Sequence, residues 1–246
     1  MVVSDNQMSR SPEDRSRFIS GVTAGLPVVI GYFPIAVTFG LLASEHISMV
    51  HAVFMSAWVY AGASQFMAIG LIGAHSAAAE IVTATFLMNF RHFIMSASLS
   101  QRVKSHRSAA IPLLAFWLTD ETFSVAMALK KKLHPRFLLG LEISAYTSWV
   151  SGTGLGFIVG AFIPPLLQES LYIALYALFV ALLTPHVRSS LKKRSFHILI
   201  TAVFAAGINS LLQHFHLMKP GWSLVTAILS ASVLGALLHT EDEGGS

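Results

Sequence analysis

The chain has 246 residues, of which 54% are hydrophobic and 11% are charged, and its formal charge at pH 7 is +4. Soluble domains carry about 25% charged residues, so this composition excludes an ordinary soluble protein and indicates an integral membrane protein. The absence of cysteine excludes disulfides, thiol nucleophiles and thiolate metal sites. The excess positive charge lies in short linkers between apolar segments. That placement is typical of topology signals and contacts with anionic membrane lipids rather than of nucleic-acid binding.

Apolar segments of nearly the length that a helix needs to cross a bilayer, about 20 residues, follow one another along the chain. They are residues 18–44, 51–74, 78–99, 109–129, 136–163, 168–187, 196–216 and 221–239. The alternating pattern of barrel strands is absent, so these segments predict an all-α, polytopic membrane helix bundle. We expect residues 1–17 to form a polar tail, residues 18–239 a single transmembrane domain, and residues 240–246 a second polar tail.

Basic residues in the linkers bear on the topology, because such residues favour the cytoplasmic side of a membrane. They form four clusters: Arg10, Arg15 and Arg17; Arg102, Lys104 and Arg107; Lys130, Lys131, Lys132 and Arg136; and Arg188, Lys192, Lys193 and Arg194. Eight full crossings cannot place all four clusters inside. Either the second cluster is a tolerated exception, or two segments are re-entrant and only six cross. Both alternatives place the N- and C-termini in the cytoplasm.

Proline and glycine interrupt three of the segments and predict broken helices there. "GLPVVIGYFP" contains Pro27 and Pro34, "YAGASQ" contains Gly62, and "SWVSGTGLG" contains three glycines. Breaks at membrane depth are tolerated where protein or a water-filled cavity satisfies the backbone, and paired breaks point to a transporter binding site. A weak echo between "FGLLAS" and "LGFIVG" indicates an internal repeat of segments 1–3 in segments 5–7. The spacing of small residues also has a packing interpretation, at Gly21, Gly25, Gly152, Gly156 and Gly160.

Charged residues inside the apolar segments are the strongest functional signal. Arg91 lies near the middle of the third segment, where a cation costs about 2.5 to 3.5 kcal/mol to insert and needs a partner. Asp120 and Glu121 lie near the middle of the fourth segment. In the functional interpretation one of these acids carries a proton, Arg91 is its gate or a carboxylate clamp, and His92 is a relay, with Asn89 on nearly the same helix face. In the structural interpretation Arg91 and Asp120 form a buried ion pair that fixes two helices.

The stretch "GASQ", Gly62, Ala63, Ser64 and Gln65, places polar groups within an apolar segment. It predicts either part of a substrate site or a close helix contact with local hydrogen bonds. An intramembrane enzyme is the rival class, but HExxH and GxSxG motifs are absent, which leaves Ser64 as the one tempting nucleophile. We therefore predict a protein without enzymatic activity, metal or cofactor.

Several motifs together resemble one family. They are "PIAVTFG" (34–40), "YAGASQF" (60–66), "NFRH" with "SASL" (89–99), "LTDETF" (118–123) and "SWVSGTGLG" (148–156). In this order they are similar to the AzlC family, the large subunits of bacterial branched-chain amino-acid exporters. The resemblance implies a multi-pass protein of the bacterial cytoplasmic membrane that exports leucine, isoleucine, valine and apolar amino acids such as methionine. It also implies a hetero-oligomer with a small AzlD-type membrane subunit.

The resemblance carries site residues onto matching positions. They are Pro34, Gly40, Tyr60, Gly62, Ser64, Gln65, Asn89, Arg91, His92, Asp120, Glu121, Trp149, Gly152 and Thr153. The expected mechanism binds the zwitterionic substrate at helix breaks and couples export to proton antiport through Asp120, Glu121 or His92. Two alternatives remain open: a passive amino-acid channel, and a membrane scaffold for the small partner without transport of its own.

Overall fold

The computed structural model describes residues 12–103, 111–129, 132–160, 162, 164 and 197–243. These residues form helices, and no strand occurs among them. The helices are α1 Pro12–Ser44, α2 Met49–Trp58, α3 Gly62–Gly73, α4 Ala78–Ser100, α5 Ile111–Phe116, α6 Asp120–Ala128, α7 Pro135–Gly160, α8 His197–His214 and α9 Pro220–Glu243. The all-α prediction is thus confirmed for this part of the chain. The predicted segment at 168–187 lies outside the described residues.

The chain divides into two compact units. The first unit combines Met1–Ala36 with Arg91–Gly152, and the second combines Val37–Phe90 with Thr153–Ser246. Helices α1, α4 and α7 each contribute residues to both units. Whether residues 18–239 act as one transmembrane domain stays a prediction.

In the first unit, α1 packs closely against α7. A Cβ atom added to Gly21 would overlap the Phe137 carbonyl, and one added to Gly140 would overlap the Phe18 carbonyl. Only glycine allows this approach of two helix backbones, so the packing interpretation of Gly21 is confirmed. Beside this contact lies an apolar core, whose buried members are Leu99, Val103, Leu114, Leu118, Ala126, Leu133, Leu138 and Leu141.

In the second unit, glycines again bring α1 and α7 together. A Cβ atom added to Gly40 would overlap the carbonyl of Thr153, and one added to Gly156 would overlap the carbonyl of Val37. Two apolar clusters complete the unit. One contains Phe39, Ala43, Ala52 and Ile69, and the other contains Leu71, Ala84 and Val225.

Two of the three predicted helix breaks are wrong. Helix α1 is continuous through Pro27 and Pro34, and α7 is continuous through Gly152 to Gly160. Proline in a membrane helix is tolerated where the surrounding protein supports the backbone. Helix α7 contacts α1 in the turn before Pro34, where the Ser148 hydroxyl donates to the carbonyl of Val29 over 3.0 Å. The glycines of α7 are helical and permit close packing.

The third predicted break is confirmed. Helix α2 ends at Trp58 and α3 begins at Gly62, which leaves residues 59–61 outside both helices. A second break, which the sequence analysis did not place, separates α5 from α6 at residues 117–119. There Thr119 caps α6, with a capping box in which Thr119 and Thr122 each accept the other's backbone N–H.

Within the described residues, two helices are long and apolar enough to cross a bilayer, namely Asp14–Ser44 and Pro220–Leu238. The break at 59–61 leaves two helices of 10 and 12 residues, each shorter than one crossing. Helices α4 and α7 have 23 and 26 residues, but their polar side chains reduce their hydropathy. The number of crossings and the orientation of the termini therefore stay predictions.

Candidate functional site

The break between α2 and α3 leaves the start of α3, in the second unit, without a side-chain cap; we call this a bare helix start. Tyr60 is buried and has a φ of 43°, in the left-handed region that aromatic residues rarely adopt. Ala61 is the N-cap residue of α3 and supplies no side-chain acceptor. The N–H groups of Gly62, Ala63 and Ser64 belong to the first turn, which lacks intrahelical acceptors. The start of α3 thus presents backbone donors and the positive end of the helix dipole.

A buried chain of hydrogen bonds joins α2, α3 and α7 beside this helix start. The amide nitrogen of Gln65 donates to the hydroxyl of Ser56 over 2.9 Å, and this hydroxyl lies 2.7 Å from the Thr153 hydroxyl. None of the three side chains is exposed. We call Ser56, Gln65 and Thr153 the polar triad. Two of its members were predicted as site residues, whereas Ser56 was missed, because serine in an apolar helix most often bonds only to its own backbone.

A second contact holds the other side of the α3 start. The hydroxyl of Ser64, which is fully buried, donates a short hydrogen bond to the side-chain carbonyl of Asn89 on α4. Both residues were predicted as site residues, and the structure brings them together. The start of α3 is therefore held directly by Asn89 of α4 and Ser56 of α2, and Thr153 of α7 supports Ser56.

The predicted charge pair forms in the first unit. A guanidinium nitrogen of Arg91 lies 2.9 Å from a carboxylate oxygen of Asp120, and each side chain is 43% exposed. His92, the next residue on α4, is half-buried. Asp120 is the first residue of α6, so the pair joins the middle of α4 to the helix start at the second break.

The neighbouring acid has a different partner. The hydroxyl of Tyr32 makes a short hydrogen bond to the carboxylate of Glu121 and lies 2.7 Å from the hydroxyl of Thr119. The Tyr32 ring meets the ring of Trp149 edge to face, with centroids 5.3 Å apart. Trp149 and Glu121 were predicted as site residues, but Tyr32 and Thr119 were missed. The signal for Thr119 was a threonine directly before two acids, the usual start of a helix.

The remaining predicted residues are less closely involved. Pro34 is exposed on α1, and Gly152 is buried within α7. Among the residues that the structure describes, no three His, Asp or Glu side chains are grouped to hold a metal ion. Two buried acids were also missed: Glu80 accepts the backbone N–H of Gly221 over 3.2 Å, and Glu142 is wholly buried within α7.

Comparison with known proteins places the chain in one family. The sequence model of the AzlC protein family matches residues 27–163. An uncharacterized membrane protein of Archaeoglobus fulgidus is 38% identical over 92% of this chain and 95% of its own length. Inner membrane protein YgaZ of Escherichia coli is 31% identical over 89% of this chain and 88% of its own length.

A more distant relative has a named activity. The branched-chain amino acid transport protein AzlC of Bacillus subtilis is 22% identical over 72% of this chain and 71% of its own length. No solved structure matches the chain significantly. The family model matches more than half of the chain, and the relatives from Archaeoglobus fulgidus and Escherichia coli are 38% and 31% identical along nearly its whole length. The chain therefore belongs to the AzlC family.

Proposed function

We propose that this chain is the large subunit of a secondary active exporter of branched-chain amino acids, coupled to protons and acting with a small membrane subunit. The observation that carries the proposal is the bare start of α3, held by the polar triad and by the bond from Ser64 to Asn89. Polar groups and an interrupted helix are costly in an apolar segment unless protein buries them or they line a water-filled cavity. Transporters place such breaks at their substrate sites, which favours the second explanation here.

The substrate carboxylate fits the start of α3. The first backbone N–H groups of a helix and the positive end of its dipole bind anions, and discontinuous membrane helices of transporters use this feature for anionic substrate groups. No acidic side chain lies in the first turn of α3, which contains Gly62, Ala63 and Ser64. A carboxylate there would meet donors without repulsion.

The substrate ammonium fits the other side of the break. Helix α2 ends at Trp58, and the carbonyl end of a helix carries the negative end of its dipole. An amino acid at the break can thus satisfy both of its charges with backbone groups. Its side chain would lie in apolar surroundings, which discriminate a single methylene by about 1 to 3 kcal/mol. Leucine, isoleucine, valine and methionine are therefore expected to share the site.

Proton coupling is assigned to the charged groups of the first unit. The pair between Arg91 and Asp120 would open when Asp120 takes up a proton, because the neutral acid holds a guanidinium less strongly. Glu121 and His92 are the further candidates for this path.

The apolar residues exposed on α4, among them Phe86, Phe90 and Phe93, suit contact with lipid or with the small subunit.

The test is the efflux of labelled leucine from liposomes that contain this chain, with and without the small AzlD-type subunit, under an imposed pH gradient. Saturable efflux that follows the gradient supports the proposal. Efflux that does not saturate, and that leucine on the far side does not accelerate, indicates a channel. Folded protein that transports no leucine even with the small subunit refutes the exporter function.

A further inference from the structure

Glu142 is a buried acid that the proposed coupling path does not use. It is the eighth residue of α7 and lies about 9 Å along the helix axis from Arg136, the second residue of the helix. The residue is wholly buried. Within the described residues, neither of its carboxylate oxygens has a hydrogen-bond partner.

The surroundings of Glu142 on its own helix are apolar. Leu138, Ala145 and Trp149 lie four residues before it, three after it and seven after it, so they share its helix face. All three are buried, at 0%, 0% and 3% exposure. Leu138 belongs to the apolar core of the first unit, and Trp149 packs against Tyr32. Glu142 thus lies between the apolar core and the aromatic contact of Tyr32.

The charged groups of the surrounding helices interact elsewhere. Arg136 pairs with Asp14 over 3.2 Å, and Arg91 pairs with Asp120. Arg102 donates to backbone carbonyls at the end of α6, and Glu121 accepts from Tyr32. Among the side chains that the structure describes, the other titratable groups of these helices and the turns next to them are Arg15, Arg17, His92, Lys132, His134 and Tyr146. None of these side chains forms an ion pair or a hydrogen bond with Glu142.

An ionised carboxylate at this buried position would be removed from bulk solvent, and no side chain among the described residues supplies a cation to it. Burying an isolated charge is so costly that the group exists in its neutral form instead. A neutral carboxyl needs a reason to remain where leucine or methionine would pack more favourably. Ionisable residues retained inside membrane segments are characteristic of proton paths in transporters.

We propose that Glu142 is a proton-binding site of the transport cycle. It holds a proton while α7 is packed as described, and it loses this proton when a rearrangement admits water. In that step the carboxyl O–H bond breaks, the proton passes to water, and a hydrated carboxylate remains. The return step takes a proton from water on the other side of the membrane. This role rests on the proposed function, since it adds a second proton site to the same exporter.

The experiment compares the wild-type chain with Glu142→Gln, which keeps the size of the side chain but cannot exchange a proton. Glu80→Gln is the matched control, because Glu80 is equally buried but accepts the N–H of Gly221. Infrared difference spectroscopy on reconstituted protein detects the C=O stretch of a protonated carboxylic acid. We expect the wild type and Glu80→Gln to show a band that is missing in Glu142→Gln. An unchanged band in Glu142→Gln would overturn the proton site.

Transport provides the second measurement. We expect Glu142→Gln to lose the acceleration of leucine efflux by a pH gradient but to keep leucine exchange, whereas Glu80→Gln keeps both. Gradient-driven efflux that survives in Glu142→Gln refutes a role in coupling. If Glu142→Gln does not fold, Glu142→Asp should shift the band and the pH dependence of efflux, and an unshifted band and pH profile count against the proposal. Failure of the wild type to transport leucine refutes the exporter function, while the infrared band still decides whether Glu142 binds a proton.

Discussion

Replacing Thr153 by valine tests whether the polar triad holds the start of α3. The substitution keeps the β-branched shape and removes only the hydroxyl. Gln65 donates to the Ser56 hydroxyl, and the hydroxyls of Ser56 and Thr153 share a hydrogen bond over 2.7 Å in which either of them can be the donor. Thr153→Val removes one partner of this bond in a site where all three side chains are wholly buried.

The expected loss of stability follows from this geometry. A buried donor left without its partner costs about 1 to 3 kcal/mol in soluble proteins, and interhelical hydrogen bonds in a membrane protein average about 0.6 kcal/mol. We therefore expect a loss of about 1 kcal/mol. For a chain of this size that lowers the melting temperature by about 2 to 4 °C. If the start of α3 binds leucine and the whole loss of about 1 kcal/mol falls on the free energy of binding, the KM for leucine rises about fivefold.

The control is Thr147→Val on the same helix. Thr147 is exposed, and its hydroxyl donates to the carbonyl of Ile143 in its own helix, 2.8 Å away. Thermal unfolding in detergent and leucine transport in liposomes are measured for both variants. Equal melting temperatures for Thr153→Val and Thr147→Val would refute the triad. A lower melting temperature with an unchanged KM would mean that the triad stabilises the fold without shaping a leucine site.

Three further substitutions test other contacts. Asp120→Asn should lose leucine efflux driven by a pH gradient but keep leucine exchange; loss of both from folded protein would make Asp120 a structural residue or a substrate ligand. Gly40→Ala should lower the melting temperature, because its Cβ would overlap the α7 backbone, whereas Gly207→Ala enters open space and should be neutral or stabilising. Equal effects would refute the close contact. Glu80→Ala should cost about 1 to 3 kcal/mol because the start of α9 loses its acceptor, and Glu80→Gln should cost less; the reverse order in thermal unfolding would contradict the capping role.

The sequence was sufficient to predict that Arg91 pairs with an acid of the fourth segment, Asp120 or Glu121, since a cation inside an apolar segment needs an acidic partner. It did not decide which of the two adjacent acids pairs with Arg91. That choice depends on the helix start at Thr119, which aims Asp120 and Glu121 at different neighbours. The N-cap at Thr119 thus determines which acid pairs with Arg91, although residues 109–129 read as one continuous apolar segment.

The helix breaks were harder to predict than the helices. Pro34 lies within a continuous helix, while the break at residues 59–61 contains no proline. Proline removes one backbone donor, but a neighbouring helix that packs against the same turn can keep the helix continuous, and Ser148 of α7 contacts α1 in this way at Val29. Whether such a neighbour exists depends on helix packing. The role of Ser56 was hidden for the same reason, because its partners come from two other helices.

The two helix starts created by the breaks differ in the ligand charge that they favour. The start of α6 is capped by Thr119 and carries Asp120 and Glu121 in its first turn, so its positive dipole end is already balanced within the chain. The acidic side chains at this helix start attract a cation, and in this structure the cation is Arg91, which pairs with Asp120. The start of α3 has neither a cap nor an acid, and buried neutral side chains hold it in place. Its first turn thus contains no group that balances the positive end, and the proposed binding of an amino acid would place a carboxylate there.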